Sequence, residues 1–155
     1  MPGEQNVSAD TLSRANFGDF YRLRQTIFRE IEYMSMPITI DRFASACNAQ
    51  VRAYNAQFTD IGAIGIDAFA QSDYAEHINF CNPPVALLGR FTCFAIDHLP
   101  PSTKLIVIFP LWEAQPWFPR LLKYMHTCLI IPGYISIFEK CVPFAVPPYC
   151  RNKNW

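Results

Sequence analysis

Ile78-Asn79-Phe80-Cys81-Asn82-Pro83-Pro84-Val85 carries the chain from a short apolar run into a double-proline turn and on into a helix-like stretch, Ala86 to Leu99. Two prolines in a row fix φ and remove two backbone donors, so no strand continues through them. Asn82 is thereby expected at the carboxyl end of a strand, held against a rigid turn. After the helix, Pro100-Pro101 gives way to Lys104-Leu105-Ile106-Val107-Ile108-Phe109, the clearest strand of the chain. A strand, helix, strand order with nearly continuous apolar strands predicts an α/β fold with a mostly parallel sheet. Such sheets build their sites at the carboxyl ends of the strands, where Asn82 falls.

Upstream, Ile38-Thr39-Ile40-Asp41-Arg42-Phe43-Ala44 reads as a first strand with an acid near its end, and Val51 to Phe58 as a second short strand or extended loop. Ile64-Gly65-Ile66-Asp67-Ala68-Phe69 repeats the pattern of apolar residues running into Asp. Phe17 to Tyr33 shows the three-and-four spacing of an amphipathic helix at Phe20, Leu23, Ile27, Phe28 and Ile31, stopped by Pro37. Phe118 to Met125 predicts a further helix, and beyond Cys128 the short apolar pieces broken by Pro132, Gly133, Pro143, Pro147 and Pro148 read as a loose appendage.

At 155 residues the chain has the length of one domain, and with half its residues apolar it is not disordered by composition. Thirteen basic residues balance thirteen acidic ones, so any contact with nucleic acid must come from a local patch. The cysteines lie far apart, with no C-x-x-C pair or His at ligand spacing, and no zinc site is expected. The first residues lack the basic start and apolar core of a signal peptide, which reads as an intracellular chain, cytoplasmic or nuclear, with reduced thiols. No apolar run approaches the ~20 residues of a membrane span.

A polar amide held beside the Pro83 carbonyl suits chemistry on the exocyclic amine of a nucleobase. Methyl transfer to that nitrogen requires its lone pair to leave the ring, and two acceptors aimed at the amine favour the change. Asp41 and Asp67, each at a strand end, suit the ribose hydroxyls of a nucleoside cofactor such as S-adenosylmethionine, which has no phosphate and needs no glycine-rich turn. The plainer alternatives are a strand-to-helix turn at Asn82 and helix or turn caps at the two acids. Trp112, Trp117 and Phe118, beside Arg120 and Lys123, fit either base stacking with phosphate contact or an apolar lid. Ser45 and Ser72 lack a nucleophile elbow, and His77, His98 and His126 stand isolated in sequence.

Two resemblances rest on these residues. Pro2-Gly3-Glu4-Gln5-Asn6-Val7-Ser8-Ala9-Asp10-Thr11-Leu12-Ser13-Arg14 resembles the closing segment of the RNase H domain in retroelement reverse transcriptases. On that resemblance residues 1–16 are a remnant of its last helix. Asp10 matches the final metal-binding carboxylate there, an orphan whose partners lie upstream, so no complete RNase H site and no metal are implied. Residues 17–125 resemble the following segment of DIRS-type retrotransposon polyproteins, itself similar to phage-type DNA adenine methyltransferases, with 126–155 a degenerate tail. The match runs through Ile40-Asp41-Arg42-Phe43-Ala44-Ser45, Asn48-Ala49-Gln50, Tyr54, Ile66-Asp67-Ala68-Phe69, Asn82-Pro83-Pro84 and Pro110-Leu111-Trp112-Glu113-Ala114-Gln115-Pro116-Trp117.

The second resemblance implies a Rossmann-like sheet of methyltransferase type that need not be complete. It implies Asn82, Pro83 and Pro84 as the catalytic turn and Asp41, Phe43 and Asp67 on the S-adenosylmethionine side. Val85, Trp112, Trp117 and Arg120 would then face DNA. Its partners would be DNA and the upstream reverse transcriptase and RNase H of a full polyprotein, with no membrane. Two departures count against turnover. Val85 stands where the family places an aromatic ring on the flipped adenine, a contact worth ~1–3 kcal/mol. Arg42 puts a long cation where an apolar residue is usual. A degenerate methyltransferase-like domain is therefore expected, and a non-catalytic nucleic-acid-binding or structural module of the polyprotein is the competing expectation.

Overall fold

The computed structural model describes residues 21–133 and 135–141. Residues 1–16 with Asp10, expected as an RNase H remnant, residues 17–20 and the residues from 142 onward lie outside the described residues. In chain order the elements are β1 (Tyr21–Leu23), α1 (Gln25–Met34), β2 (Ile40–Ala44), β3 (Tyr54–Ala56), β4 (Gly65–Ile66), β5 (Ile78–Cys81), α2 (Leu88–Asp97), β6 (Lys104–Val107), α3 (Trp117–Tyr124) and β7 (Phe138–Lys140).

Five strands form one sheet in the order β4-β3-β2-β5-β6, and every neighbouring pair is parallel. The first strand of the sheet thus lies in the middle, with the next two to one side and the last two to the other. This is the Rossmann-like order, and it leaves a crevice outside the carboxyl ends of β2 and β5 where the chain reverses direction across the sheet. The expected α/β class with a parallel sheet is what the chain adopts.

Apolar residues from β1, α1, the approach to β2 and β5 make one core: Leu23, Phe28, Ile31, Ile38 and Phe80 are buried together, with Ile78, Ile106 and Ile108 packed against them. The Phe28 and Phe80 rings meet edge to face at 5.3 Å, joining helix to sheet. A second core joins α3 to the turn after β5, where Leu88, Trp117, Phe118 and Leu121 are buried with Val85, Phe109 and Trp112 at their edge.

Two connections depart from the usual pattern. Residues 45–53 link β2 to β3 and residues 57–64 link β3 to β4, both without a helix. Each is shorter than the roughly 10–12 residues that a helical crossover takes. With no helix laid over it, the β4 edge leaves Phe58, Ile61, Ile64 and Ile66 exposed.

The ends of the described chain also differ from the periodicity. Residues 21–23 form a strand rather than the first turn of a helix, because Arg24 adopts an extended ψ of 138° and β1 pairs antiparallel with β7. Leu23 is buried under either assignment, so the apolar spacing does not separate them. The stretch read as a loose appendage supplies that partner strand, anchored by a 2.7 Å pair of Arg22 Nε with Glu139 Oε1 and by the Arg24 amide on the Ile137 carbonyl.

Candidate functional site

β5 ends at Cys81, whose carbonyl accepts the Ile108 amide at 2.9 Å, and the chain turns away at once through Asn82, Pro83 and Pro84. Pro84 sets φ at −49°, and its carbonyl accepts the Leu87 amide at 2.7 Å to open the 3-10 turn Val85–Leu87 that leads into α2. Pro83 is buried and Asn82 half-buried at the rim of the crevice. Among the described residues neither the Asn82 amide nor the Pro83 carbonyl has a hydrogen-bond partner. The sequence places this turn correctly because prolines end a strand whatever surrounds it.

The residues expected beside a cofactor are arranged otherwise. Asp41 is the second residue of β2 rather than its end, and it is almost wholly buried. Its carboxyl accepts the Gln50 amide at 3.1 Å and the Phe43 amide at 3.3 Å, tying the β2–β3 connection to the strand. Burial outweighs those two donors and raises its pKa to about 7. Past Asp41 the β2–β3 register shifts, and the Phe43 ring lies among aromatics, 5.6 Å from Phe69 and 5.6 Å from Phe91. Phe69 continues the stack to Phe94 and lies under the Arg90 guanidinium at 3.9 Å.

Asp67 does follow β4 at its carboxyl end. It holds a positive φ of 57°, a conformation that Asp tolerates better than most residues, and its carboxylate accepts the Phe69 amide at 2.9 Å. This is the turn cap of the plainer alternative. The side chains offered for S-adenosylmethionine are therefore engaged in packing or capping.

Arg42, the cation standing where the family usually has an apolar residue, is a buried hub. Its Nε donates to Asn79 Oδ1 at 2.7 Å, and its Nη1 donates to Asn55 Oδ1 at 2.8 Å and Asp73 Oδ1 at 2.9 Å. The guanidinium also lies 4.1 Å from the Tyr74 ring centre. Three strands and the turn after β4 are joined through this one side chain. Burial raises the Tyr74 hydroxyl and the Cys81 thiol beyond their ordinary ranges, so neither is an ionisable participant at neutral pH.

The residues assigned to DNA divide. Trp117 is 8% exposed and belongs to the α3 core, the packing that the apolar-lid alternative expects. Val85 packs against the same core, and Trp112 sits half-buried at its edge. Arg120 is exposed and reaches back to α2, with Nη1 at 3.1 Å from Cys93 Sγ and Nη2 at 3.9 Å from Asp97 Oδ1.

Asp60 is a residue that the sequence reading passes over. Its carboxylate accepts from the Ala46 amide at 2.9 Å, the Gly62 amide at 3.0 Å and the Tyr54 hydroxyl at 2.8 Å, clasping the two helix-free connections together. Slight burial opposes ionisation, but those three donors outweigh it and hold the pKa below the usual carboxylate range. No single-window pattern signals this clasp, since Ala46 lies well before the acid in sequence.

A hollow of about 680 Å³ opens at the opposite ends of the strands, lined by Ile38, Thr39, Arg52 and Ile64 among others. A smaller one of about 230 Å³, almost wholly apolar, lies between α1 and residues 129–135. Among the described residues no cluster of His, Cys, Asp and Glu is arranged to hold a metal ion, and no helix is long and apolar enough to cross a membrane. No protein-family model matches the chain, and no curated protein or solved structure matches it significantly.

Proposed function

We propose that this chain is a fragment of a retrotransposon polyprotein containing a domain of DNA adenine methyltransferase descent that no longer catalyses methyl transfer. The observation that carries this reading is the contrast within one crevice. Asn82-Pro83-Pro84 stands at the carboxyl end of β5 with its acceptors free among the described residues, whereas Asp41 and Phe43 are consumed by the fold. Opening the Phe43, Phe69 and Phe91 contacts to admit a nucleoside would forfeit edge-to-face interactions worth ~0.5–1.5 kcal/mol each. In this reading the module serves the polyprotein as a folded unit between or beside its catalytic domains.

Thermal unfolding with S-adenosylmethionine tests the proposal. A ligand that binds only the native state at a hundred times its Kd stabilises by ~2.7 kcal/mol, an easily measured rise in Tm. The expected result is no rise, and no label incorporated into adenine-containing DNA from methyl-labelled cofactor.

The free acceptors at the turn favour a second reading, an active S-adenosylmethionine-dependent DNA adenine methyltransferase. A Tm rise, together with methylation that Asn82→Ala abolishes while binding persists, would replace the first reading with this one. Even then, Val85 in place of an aromatic ring lowers the expected rate about tenfold or more.

A further inference from the structure

His77 is isolated in sequence but not in space. Its Nε2 lies 3.3 Å from Asp73 Oδ2, and its Nδ1 lies 3.2 Å from the Thr39 hydroxyl. Asp73 is itself anchored by the buried Arg42 guanidinium at 2.9 Å. Slight burial works against ionisation of Asp73, but Arg42 overrides it and holds its pKa below the usual range. An ionised carboxylate accepts a proton-bearing Nε2, so the neutral imidazole keeps its proton there and presents the Nδ1 lone pair to Thr39. The hydroxyl is held for this contact because its oxygen accepts the Ile78 amide at 2.9 Å. The competing acceptor for its proton, the Ile78 carbonyl, is farther at 3.4 Å.

Nucleophile, base and orienting acid within hydrogen-bond reach of one another are the parts of an activated hydroxyl. Thr39 is exposed and lines the 680 Å³ hollow, on the side of the sheet away from the Asn82 crevice. Arg52 is the one charged residue among those described along that hollow, and it favours an acyl group that develops negative charge on its oxygen. We propose that Thr39 and His77 form an acyl-transfer site for small activated esters, with Asp73 as the positioning residue. Thr39 Oγ bonds to the acyl carbon as its proton passes to His77 Nδ1. The bond to the leaving alcohol breaks, the alcohol takes that proton, and the acyl group remains as an ester on Thr39. Water, giving its proton to the same imidazole, then adds to the acyl carbon; the bond to Thr39 Oγ breaks, that oxygen takes the proton back from His77, and the acid leaves.

The full chain incubated with p-nitrophenyl acetate tests this by intact mass and peptide mapping. The expected result is one acetyl group on Thr39, retained in Thr39→Ser, lost in Thr39→Val, and formed at least tenfold more slowly in His77→Gln. The side-chain amide of that last variant can still accept the Thr39 hydrogen bond but is no base, and general-base help is worth ~10²–10⁴-fold. Circular dichroism of each variant separates loss of reactivity from loss of fold. Acetylation confined to lysines or tyrosines, or equal Thr39 labelling in a folded His77→Gln variant, would overturn the proposal.

Discussion

The two halves of the sheet are held by different physics. Around β5 and β6 the contacts are apolar: Phe80 against Phe28, and Leu88 with Trp117, Phe118 and Leu121 beneath α3. Around β2, β3 and β4 buried polar bonds are added to the ring contacts of Phe43 and Phe69: the Arg42 hub, the Asp60 clasp and the closed Asp41 carboxyl. The cause is covalent. Connections of the length of 45–53 and 57–64 cannot carry a helix across the sheet, so neither supplies an apolar stripe of its own, and directional side-chain bonds tie both to the strands. The same economy leaves Ile61 and Phe58 bare at the β4 edge and turns residues suited to a cofactor into parts of the scaffold.

The difference should show most strongly at Arg42. Arg42→Met is expected to cost ~3–5 kcal/mol in urea denaturation, because Asp73, Asn55 and Asn79 lose a shared partner in a buried setting. Arg42→Lys should recover little of that, since an ammonium lacks the planar fork that reaches three acceptors. In the apolar half a comparable exchange is forgiving. Leu121→Met, which keeps volume in the buried α3 core, is expected to cost less than about 1.5 kcal/mol. Equal losses at Arg42→Lys and Leu121→Met would erase the distinction between the halves.

Asp41 gives the polar half a pH dependence that the apolar half lacks. Its folded pKa of about 7 lies above the unfolded value of 3.8, so the native state holds the extra proton between those limits. Its contribution is fully present below pH 3.8, falls as pH rises through 7 and is absent above that. Stability should therefore decline between about pH 4 and pH 7 and level off above that, by an amount on the order of a few kcal/mol. Asp41→Asn should flatten the profile across that window. Asp60 and Asp73, both shifted downward, act in the opposite sense and only as pH falls toward the ordinary carboxylate range. A wild-type profile that is level from about pH 4 to 7 would mean that the Asp41 carboxyl is better solvated than its burial implies.

What the sequence made legible follows the same division. β5, β6 and the Asn82 turn could be read because continuous apolar runs and consecutive prolines constrain the chain locally. The Arg42 hub draws on Asn55, Asp73 and Asn79, and no local window links an arginine in one strand to asparagines in two others. β7 has three residues and pairs with β1 more than a hundred positions away, so its assignment depends wholly on a distant partner. At the candidate site the turn was visible for its stiffness. The fate of Asp41 and Phe43 was not, because it depends on a register shift in β2 and on rings brought in by α2. His77 carried one local hint, an acid four residues earlier at Asp73, but its Thr39 partner lies on another strand's approach.

The smallest effect is expected at one hydroxyl of the polar half. Tyr54→Phe keeps the ring buried beside Ala49 and Ala56 and removes only the hydroxyl that donates to Asp60 at 2.8 Å. The expected cost is ~1 kcal/mol, the net worth of one hydrogen bond to a charged acceptor that water can partly replace. The accompanying change should be local. The Ala46 and Gly62 amides remain on the same carboxylate, so their hydrogen exchange should quicken only slightly in Tyr54→Phe and markedly in Asp60→Ala, which frees both. If both substitutions release those amides to the same degree, the two connections are held together through Tyr54. If neither does, they are held by packing alone, and the polar account of this half of the sheet fails at its simplest point.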